Sequence, residues 1–243
     1  MRFFAKSDIG KAREMNQDSY YVSQPSENVG LYIVADGMGG YNGGEIASSL
    51  AITSAKNYIE TNFSKIEHNK EAIQELIKNA IEYANMVVYE KSKESEDLLG
   101  MGTTIEVVLV YNNRAYIGHI GDSRVYRIRK DFIRRLTIDD SYVQKLVKDG
   151  TITKEEAINH PKKNMLMKAL GCTSFVEPNV TVKGFLKEDI IVITSDGLTN
   201  MVSDEEIYKI IKEDIINASD RLIEKAKDAG GLDNITLIII SNN

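Results

Sequence analysis

Two hydrophobic patterns alternate along the chain: short aliphatic, β-branched runs that break off at acids or glycines, and longer stretches with an apolar residue every three or four positions. The short runs predict strands. They cover residues 31–35, 102–111, 114–120, 123–129, 176–183, 189–194 and 235–241, with a further strand over 19–23 and a weak alternation over 2–10 that suits an edge strand. Asn112-Asn113 between two runs reads as a hairpin turn. The longer periodicity predicts helices over 44–62, 70–93, 203–212 and 219–229. The second carries the strongest stripe, Ile73, Leu76, Ile77, Ala80, Ile81, Ala84, Val87 and Val88, and the third opens on a capping box, Ser203 to Glu206.

Residues 137–171 break both patterns: they are polar, helical only in short pieces at 141–149 and 154–159, and interrupted by Pro161. The segment reads as an insertion, a flap over the sheet edge near Asp122. Hairpin-linked strands with helices in pairs imply an α+β fold, two mainly antiparallel sheets packed face to face with a helix pair on each outer side, in four layers αββα. No linker or repeat divides the chain, so a single domain over 1–243 is expected.

A hydrophobic share of 42%, a charged share of 27% and a net charge of −6 describe a water-soluble protein and show no footprint for nucleic acid. No apolar run reaches the ~18 residues needed to span a bilayer, and the polar start Met1-Arg-Phe-Phe is no signal peptide, so a cytoplasmic protein without a membrane partner is expected. The one cysteine, Cys172, rules out an internal disulfide and a cysteine-based zinc site, lacks an arginine at 178 for a cysteine-phosphatase loop, and is expected as a buried thiol. The basic stretch 127–135 reads as a solvated hairpin rim, the alternative being a docking surface for an acidic partner.

The candidate chemistry sits where apolar runs end. Leu31 to Ala35 is expected to stop at Asp36, followed by Gly37, Gly39 and Gly40, which free the backbone for close approach. Alone, Asp-Gly is an ordinary turn. Asp196-Gly197 and Gly121-Asp122 also follow apolar runs and Asp233 precedes one, so four acids remote in sequence are expected at one site built by the sheets. The donors are oxygens, with Gly37 offering its carbonyl, which favours Mg²⁺ or Mn²⁺. Crowded carboxylates repel unless cations neutralise them. Two cations ~4 Å apart, bridged by one carboxylate and one water, would make that water nucleophilic at neutral pH. Asp36 is the bridging candidate, and Arg13, on the polar loop 10–19 with Asp18, is placed to grip a phosphate with its planar fork. His119, inside an alternating strand, reads as a packed core residue.

These features align with a family. Asp8-x-Gly10-x-x-Arg13-x-x-Asn16-Gln17-Asp18, Val34-Ala-Asp-Gly-Met-Gly-Gly40, Gly102-Thr-Thr104, Gly121-Asp-Ser-Arg124, Leu136-Thr137, Ser195-Asp-Gly-Leu198 and Gly231-x-Asp-Asn-Ile-Thr236 resemble, in order, the signatures of bacterial PP2C-type (PPM) protein serine/threonine phosphatases. The resemblance implies a metal-dependent phosphatase that hydrolyses phosphoserine and phosphothreonine with a water or hydroxide bridging two Mn²⁺ or Mg²⁺ ions. Asp36 would bridge, Gly37 would lend its carbonyl, Asp196 and Asp233 would hold one ion, and Asp122 would help form a third site. Arg13 would bind the substrate phosphate, while Asp18, holding a metal-coordinated water, and Asn234 would support from behind. The partners implied are phosphorylated proteins, including a cognate Ser/Thr kinase and its substrates, met by a monomeric signalling enzyme.

The chain departs from the family pattern at Tyr41 and Asp140, where histidines are usual, and at Met38, where eukaryotic relatives place a candidate general-acid histidine. The leaving-group proton is therefore assigned to a metal-bound water. A P-loop and the calcineurin-like motifs are absent, and Met38 breaks a histidine-kinase-type Asp-x-Gly-x-Gly box. A catalytically silent module that binds phosphoproteins is the alternative from another class; the intact set Arg13, Asp18, Asp36, Asp196 and Asp233 opposes it.

Overall fold

The computed structural model describes residues 1–24 and 29–242, with the side chains of all of these except 40–42, so the side chain of Tyr41 lies outside the described residues. In chain order the elements are β1 (Arg2–Asp8), β2 (Asp18–Val22), β3 (Val29–Met38), α1 (Gly40–Asn62), α2 (Lys70–Ser92), β4 (Gly102–Thr103), β5 (Ile105–Tyr111), β6 (Arg114–Ile120), β7 (Arg124–Arg129), β8 (Phe132–Arg135), α3 (Tyr142–Lys148), α4 (Lys154–Ile158), β9 (Asn179–Gly184), β10 (Ile190–Thr194), α5 (Asp196–Thr199), α6 (Asp204–Glu213), α7 (Ala218–Asp228) and β11 (Ile235–Ser241). The strands form two antiparallel sheets, ordered β1-β11-β10-β7-β8 and β2-β3-β5-β6-β9, with β4 paired to β3.

Unbroken apolar runs in antiparallel strands mean burial on both faces, and the packing shows how. On β3, Leu31, Ile33 and Ala35 face the layer of α1 and α2, while Tyr32 and Val34 face the other sheet. On β11, Ile235, Leu237 and Ile239 pack under α6 and α7, and Ile238 and Ile240 fill the space between the sheets. The four layers read from the sequence are therefore present. Seven of the eight stripe positions on α2 are buried, and Val87 is half-buried. Asn69 caps this helix by accepting from the Ala72 N–H at 2.8 Å, and the Ser203–Glu206 capping box starts α6 as read.

Several boundaries move for physical reasons. β3 runs past Asp36 to Met38 because Gly37 and Met38 find partners in Thr103 and Gly102. The run 102–111 breaks at Thr104, whose N–H and hydroxyl turn to Asp36. β9 starts at Asn179, just after Pro178, which has no N–H to give a ladder. Residues 132–135 form the edge strand β8 rather than only a rim. Asp196 opens a single helical turn, α5, that no periodicity announced. Asn112 and Asn113 both take positive φ, 46° and 58°, as a two-residue hairpin turn demands. Cys172 is exposed, not buried: it lies in the irregular segment after β6–β8 and the short helices, where no core covers it.

Ile77 is fully buried in the layer between α2 and the sheet. Ile77→Ala is expected to cost about 2–5 kcal/mol and to lower the melting temperature by about 5–15 °C. Met86→Ala, on the same helix but 49% exposed, should stay within about 0.5 kcal/mol of wild type. Thermal or urea unfolding of the two variants checks the contrast.

Candidate active site

Antiparallel pairing brings the acids to one end of the sandwich. Asp18 begins β2 and lies directly opposite Asp36 on β3. Asp196 follows β10, Asp233 precedes β11 beside it, and Asp122 lies in the turn by which the chain leaves β6 for β7. Like charges facing each other across a ladder are destabilising, so the backbone there must be held by other means. Asp36 is gripped from Gly102-Thr-Thr104: its N–H donates to Thr104 Oγ1 at 3.0 Å, and its carbonyl accepts from the Thr104 N–H and Thr103 Oγ1, each at 2.9 Å. Thr104 Oγ1 in turn meets Ser123 Oγ at 2.8 Å, which ties Asp36 to the Asp122 turn.

Two glycines are dictated by contact. A Cβ on Gly37 would lie 2.1 Å from the Gly44 carbonyl oxygen and 2.6 Å from that of Gln17. A Cβ on Gly197 would lie 1.9 Å from the Asn234 oxygen, which is how α5 comes close enough to set Asp196 beside Asp233. Asn234 stitches the Arg13 loop onto this corner: Nδ2 donates to the Ile9 and Met15 carbonyls at 2.9 and 3.0 Å, and Oδ1 accepts from the Gln17 N–H at 2.8 Å. From that loop Arg13 reaches in and donates to Asp233 Oδ2 at 2.8 Å.

A cleft of about 770 Å³ opens over the acids, lined among others by Arg13, Asp36, Gly37, Met38, Asp122, Asp196 and Asp233, with Asn164 and Leu166 from the segment 137–171. Asp18 does not line it but sits behind, with Oδ2 accepting from Ser195 Oγ at 2.8 Å and Oδ1 buried without a partner. The structure thus gathers Asp36, Gly37, Asp122, Asp196, Asp233 and Arg13 at one cleft and puts Asp18 and Asn234 directly beneath. The Thr103–Thr104 clamp, Ser195 under Asp18, and the residues Asn164 and Leu166 were not singled out from sequence. The first two lie inside the ordered signatures and carried a legible signal; the last pair lies in a polar stretch without one.

His119 is buried, as read. Its Nδ1 bonds Glu106 and its Nε2 bonds the Ile138 carbonyl at 2.8 Å, so both nitrogens are occupied. Among the described residues no histidine lines the cleft.

The electrostatics follow from burial and repulsion. Burial pushes the Asp36 carboxyl well up, and Asp18, Asp196, Asp122 and Asp233 push it further. Asp18 rises to about 7, chiefly by desolvation, against the opposing hydrogen bonds of Thr236 and Ser195. Asp122 rises to about 8, by desolvation and then by Asp196 and Asp139. Asp196 is also raised, by burial first and then by the charge of Asp233. A cation in the cleft would offset the repulsion that raises these carboxyls. Among the described residues no three acid, cysteine or histidine side chains form a closed cage for one ion. Ions such as Mg²⁺ keep several waters and need one or two carboxylates. An orphaned buried carboxylate oxygen, hard oxygen donors and a bare backbone at Gly37 fit such an open, hydrated site.

The protein phosphatase 2C model matches residues 10–227. Protein phosphatase PhpP of Streptococcus pneumoniae is 36% identical over 242 residues, covering 98% of this chain and 96% of that protein. The solved serine/threonine phosphatase of S. agalactiae superposes with a TM-score of 0.91 at 37% identity, over 100% of this chain and 99% of that one. The catalytic domain of the serine threonine protein phosphatase PstP, solved in complex with two manganese ions, superposes with a TM-score of 0.84 at 34% identity, over 98% and 96% of the two chains.

The raised carboxyls make stability depend on pH. A carboxyl that binds its proton more tightly folded than unfolded favours folding at acid pH, and that contribution is lost as pH rises through its folded value. With chelator present, the melting temperature should therefore fall by about 5 °C or more between pH 5 and pH 8. Mn²⁺ should restore it, and most strongly at pH 8, because the ion competes with protons for the same oxygens. Melting curves at several pH values with EDTA or Mn²⁺ test this; a chelated protein equally stable across the range would contradict it.

Proposed function

The chain belongs to the protein phosphatase 2C family and is a protein serine/threonine phosphatase, and from that premise we propose the roles its own residues take. The observation that carries the assignment is the convergence of Asp36, Asp196, Asp233 and Asp122 with Arg13 on one cleft. Asp36 and the Gly37 carbonyl, with Asp196 and Asp233, would hold two divalent ions, Mn²⁺ as in the solved PstP or Mg²⁺, and Asp122 would help to hold a third. Bound there, the ions supply Lewis acidity, which acidifies the attacking water and offsets charge on the phosphoryl oxygens.

The chain's own part is to bind, orient and exclude. Arg13 exchanges its present bond to Asp233 for two non-bridging oxygens of the incoming phosphate, a better match for a planar fork. Asp18, fixed through Ser195 behind the cleft, would use its unpartnered Oδ1 to hold a water coordinated by an ion. Asn234 keeps the Arg13 loop in register with Asp233. Residues 137–171 act as a flap whose Asn164 and Leu166 contact the substrate around its phosphate. The proton for the departing serine or threonine oxygen comes from water, since His119 is spent on Glu106 and Ile138.

Phosphorylated proteins are the substrates; a cognate Ser/Thr kinase is among the partners, and the whole chain works as one domain and as a monomer. Among the described residues no helix is long and apolar enough to cross a membrane, and a cytoplasmic site of signalling follows as part of the proposal. A silent binding module has no support in relatives that are named phosphatases.

Phosphate release from a phosphothreonine peptide should require Mn²⁺ or Mg²⁺ and stop with EDTA. Asp36→Asn should lower kcat about a thousand-fold or more, since it removes a shared anionic ligand worth several kcal/mol. Arg13→Ala should lower kcat/KM by about ten- to a hundred-fold through lost charge-assisted bonds, with metal dependence retained. Release indifferent to chelator would overturn the assignment.

A further inference from the structure

The end of the sandwich opposite the acids carries unpaired positive charge. β6 runs from Arg114 to Ile120, just before Asp122, so its two ends lie about 20 Å apart. Around Arg114 a pocket of about 480 Å³ is lined by Lys70, Arg114, Lys183, Asn112, Asn113 and Gly184 among others, with no acid in its lining. Among the described residues none of the three cations forms an ion pair. The pocket does not belong to one loop: Lys70 opens α2, Arg114 opens β6, and Lys183 is near the end of β9, which pairs with β6.

The neighbouring strand adds a second, independent sign. Arg127 on β7 donates to the Gly184 carbonyl at 3.0 Å, at the pocket's edge, yet its Nε is buried without an acceptor. Directly across the ladder stands Arg134, and two positions along β7 is Arg129. Like charges opposite each other cost stability, and so does a buried donor without a partner. Among the described residues, only Arg129 of these arginines has a carboxylate, Asp189, which it binds through two nitrogens. Burial and the charges of Arg129 and Arg134 push the Arg127 guanidinium down, while Asp189 opposes them. The carboxylates closest in sequence, Glu71, Asp131 and Glu188, do not line the pocket.

We propose that this pocket docks a phosphorylated, acidic segment of a protein substrate, away from the residue being hydrolysed. The choice of ligand rests on the phosphatase reading; the site itself rests on the cations. A phosphate dianion can accept from several donors at once, which is what Lys70, Arg114, Lys183 and the Asn112–Asn113 amides offer. A pocket of this size holds one or two phosphates with their side chains. A long polyanion would meet a molecule of net charge −6 whose opposite end is lined by acids. Docking there would make binding two-point and would select phosphoproteins over small phosphate esters.

The test uses the whole protein in EDTA, which stops hydrolysis, and a fluorescent peptide with one phosphothreonine flanked by Asp and Glu. Its unphosphorylated twin and a short single-stranded DNA serve as comparisons. The phosphopeptide should bind wild type, and K70A/R114A/K183A should weaken binding about ten-fold or more. Lys183→Glu alone should weaken it in the same direction. In Mn²⁺ the triple variant should hydrolyse p-nitrophenyl phosphate like wild type, while its KM for a phosphoprotein rises and kcat holds. Unchanged phosphopeptide binding by both variants, or equal binding of the unphosphorylated peptide or the DNA, would overturn the proposal. Failure of wild type to release phosphate in Mn²⁺ would instead strike the phosphatase reading, because the binding arm is read without turnover.

Discussion

Repulsion among buried carboxylates is the constraint around which this molecule is built. Asp18 and Asp36 face each other across one ladder, and Asp196 and Asp233 come from the adjoining sheet. Asp18, Asp36 and Asp196 are desolvated by the scaffold around them and repelled by the neighbouring acids. A fold can hold such a group only by spending rigid hydrogen bonds on the backbone that carries it. The Thr103–Thr104 clamp on Asp36, the Ser195 bond to Asp18 and the Asn234 bonds to the Arg13 loop are those bonds. None of these supporting groups touches substrate in the proposed mechanism. Each fixes a carboxylate or its arginine where, without a cation, it would be better apart.

The same constraint explains what could be read from the chain. Asp36, Asp122, Asp196 and Asp233 were visible because a strand buried on both faces is a long aliphatic run, and an acid that ends it has nowhere to be except at the sheet's rim. The helix layer was visible through α2, whose stripe matches its buried face almost residue for residue. Boundaries were less legible where tertiary partners overrode local pattern. β3 continues through Asp-Gly because Gly102 and Thr103 come back from 64 to 66 positions later in sequence to pair with it. Nothing local in 31–38 encodes that. The single turn α5 escaped for the same reason: four residues carry no period, and the glycine that permits it is required by the Asn234 carbonyl, which is contributed by the next strand's approach.

Cys172 shows the limit of reasoning from residue type. Free cysteines are usually buried, but this one follows the flap, in a segment whose few apolar residues turn elsewhere: Leu170 and Val176 enter the core and Phe175 stays out. Burial belongs to an element's packing face, and a segment without an element has no such face to assign.

His119 is the clearest case of a residue whose chemistry is explained by what it holds. It stands opposite Glu106 on the paired strand, and both side chains are buried. Burial alone would lower the imidazole, but the Glu106 carboxylate outweighs it and lifts the ring to about 9, with Asp140 adding to the lift. A ring charged at neutral pH donates from both nitrogens, which is what its two contacts require: Glu106 on the sheet side and the Ile138 carbonyl at the root of the flap. Asp140, two residues on, accepts the Gly121 N–H at 3.4 Å and returns its own N–H to the Gly121 carbonyl at 2.6 Å. Burial lifts Glu106 as well, to about 7, and the buried Glu106–His119 contact joins the sheet, the first residues of segment 137–171 and the turn that carries Asp122. With both nitrogens held, the histidine fastens the start of segment 137–171 to the sheet and is unavailable as a proton donor in the cleft.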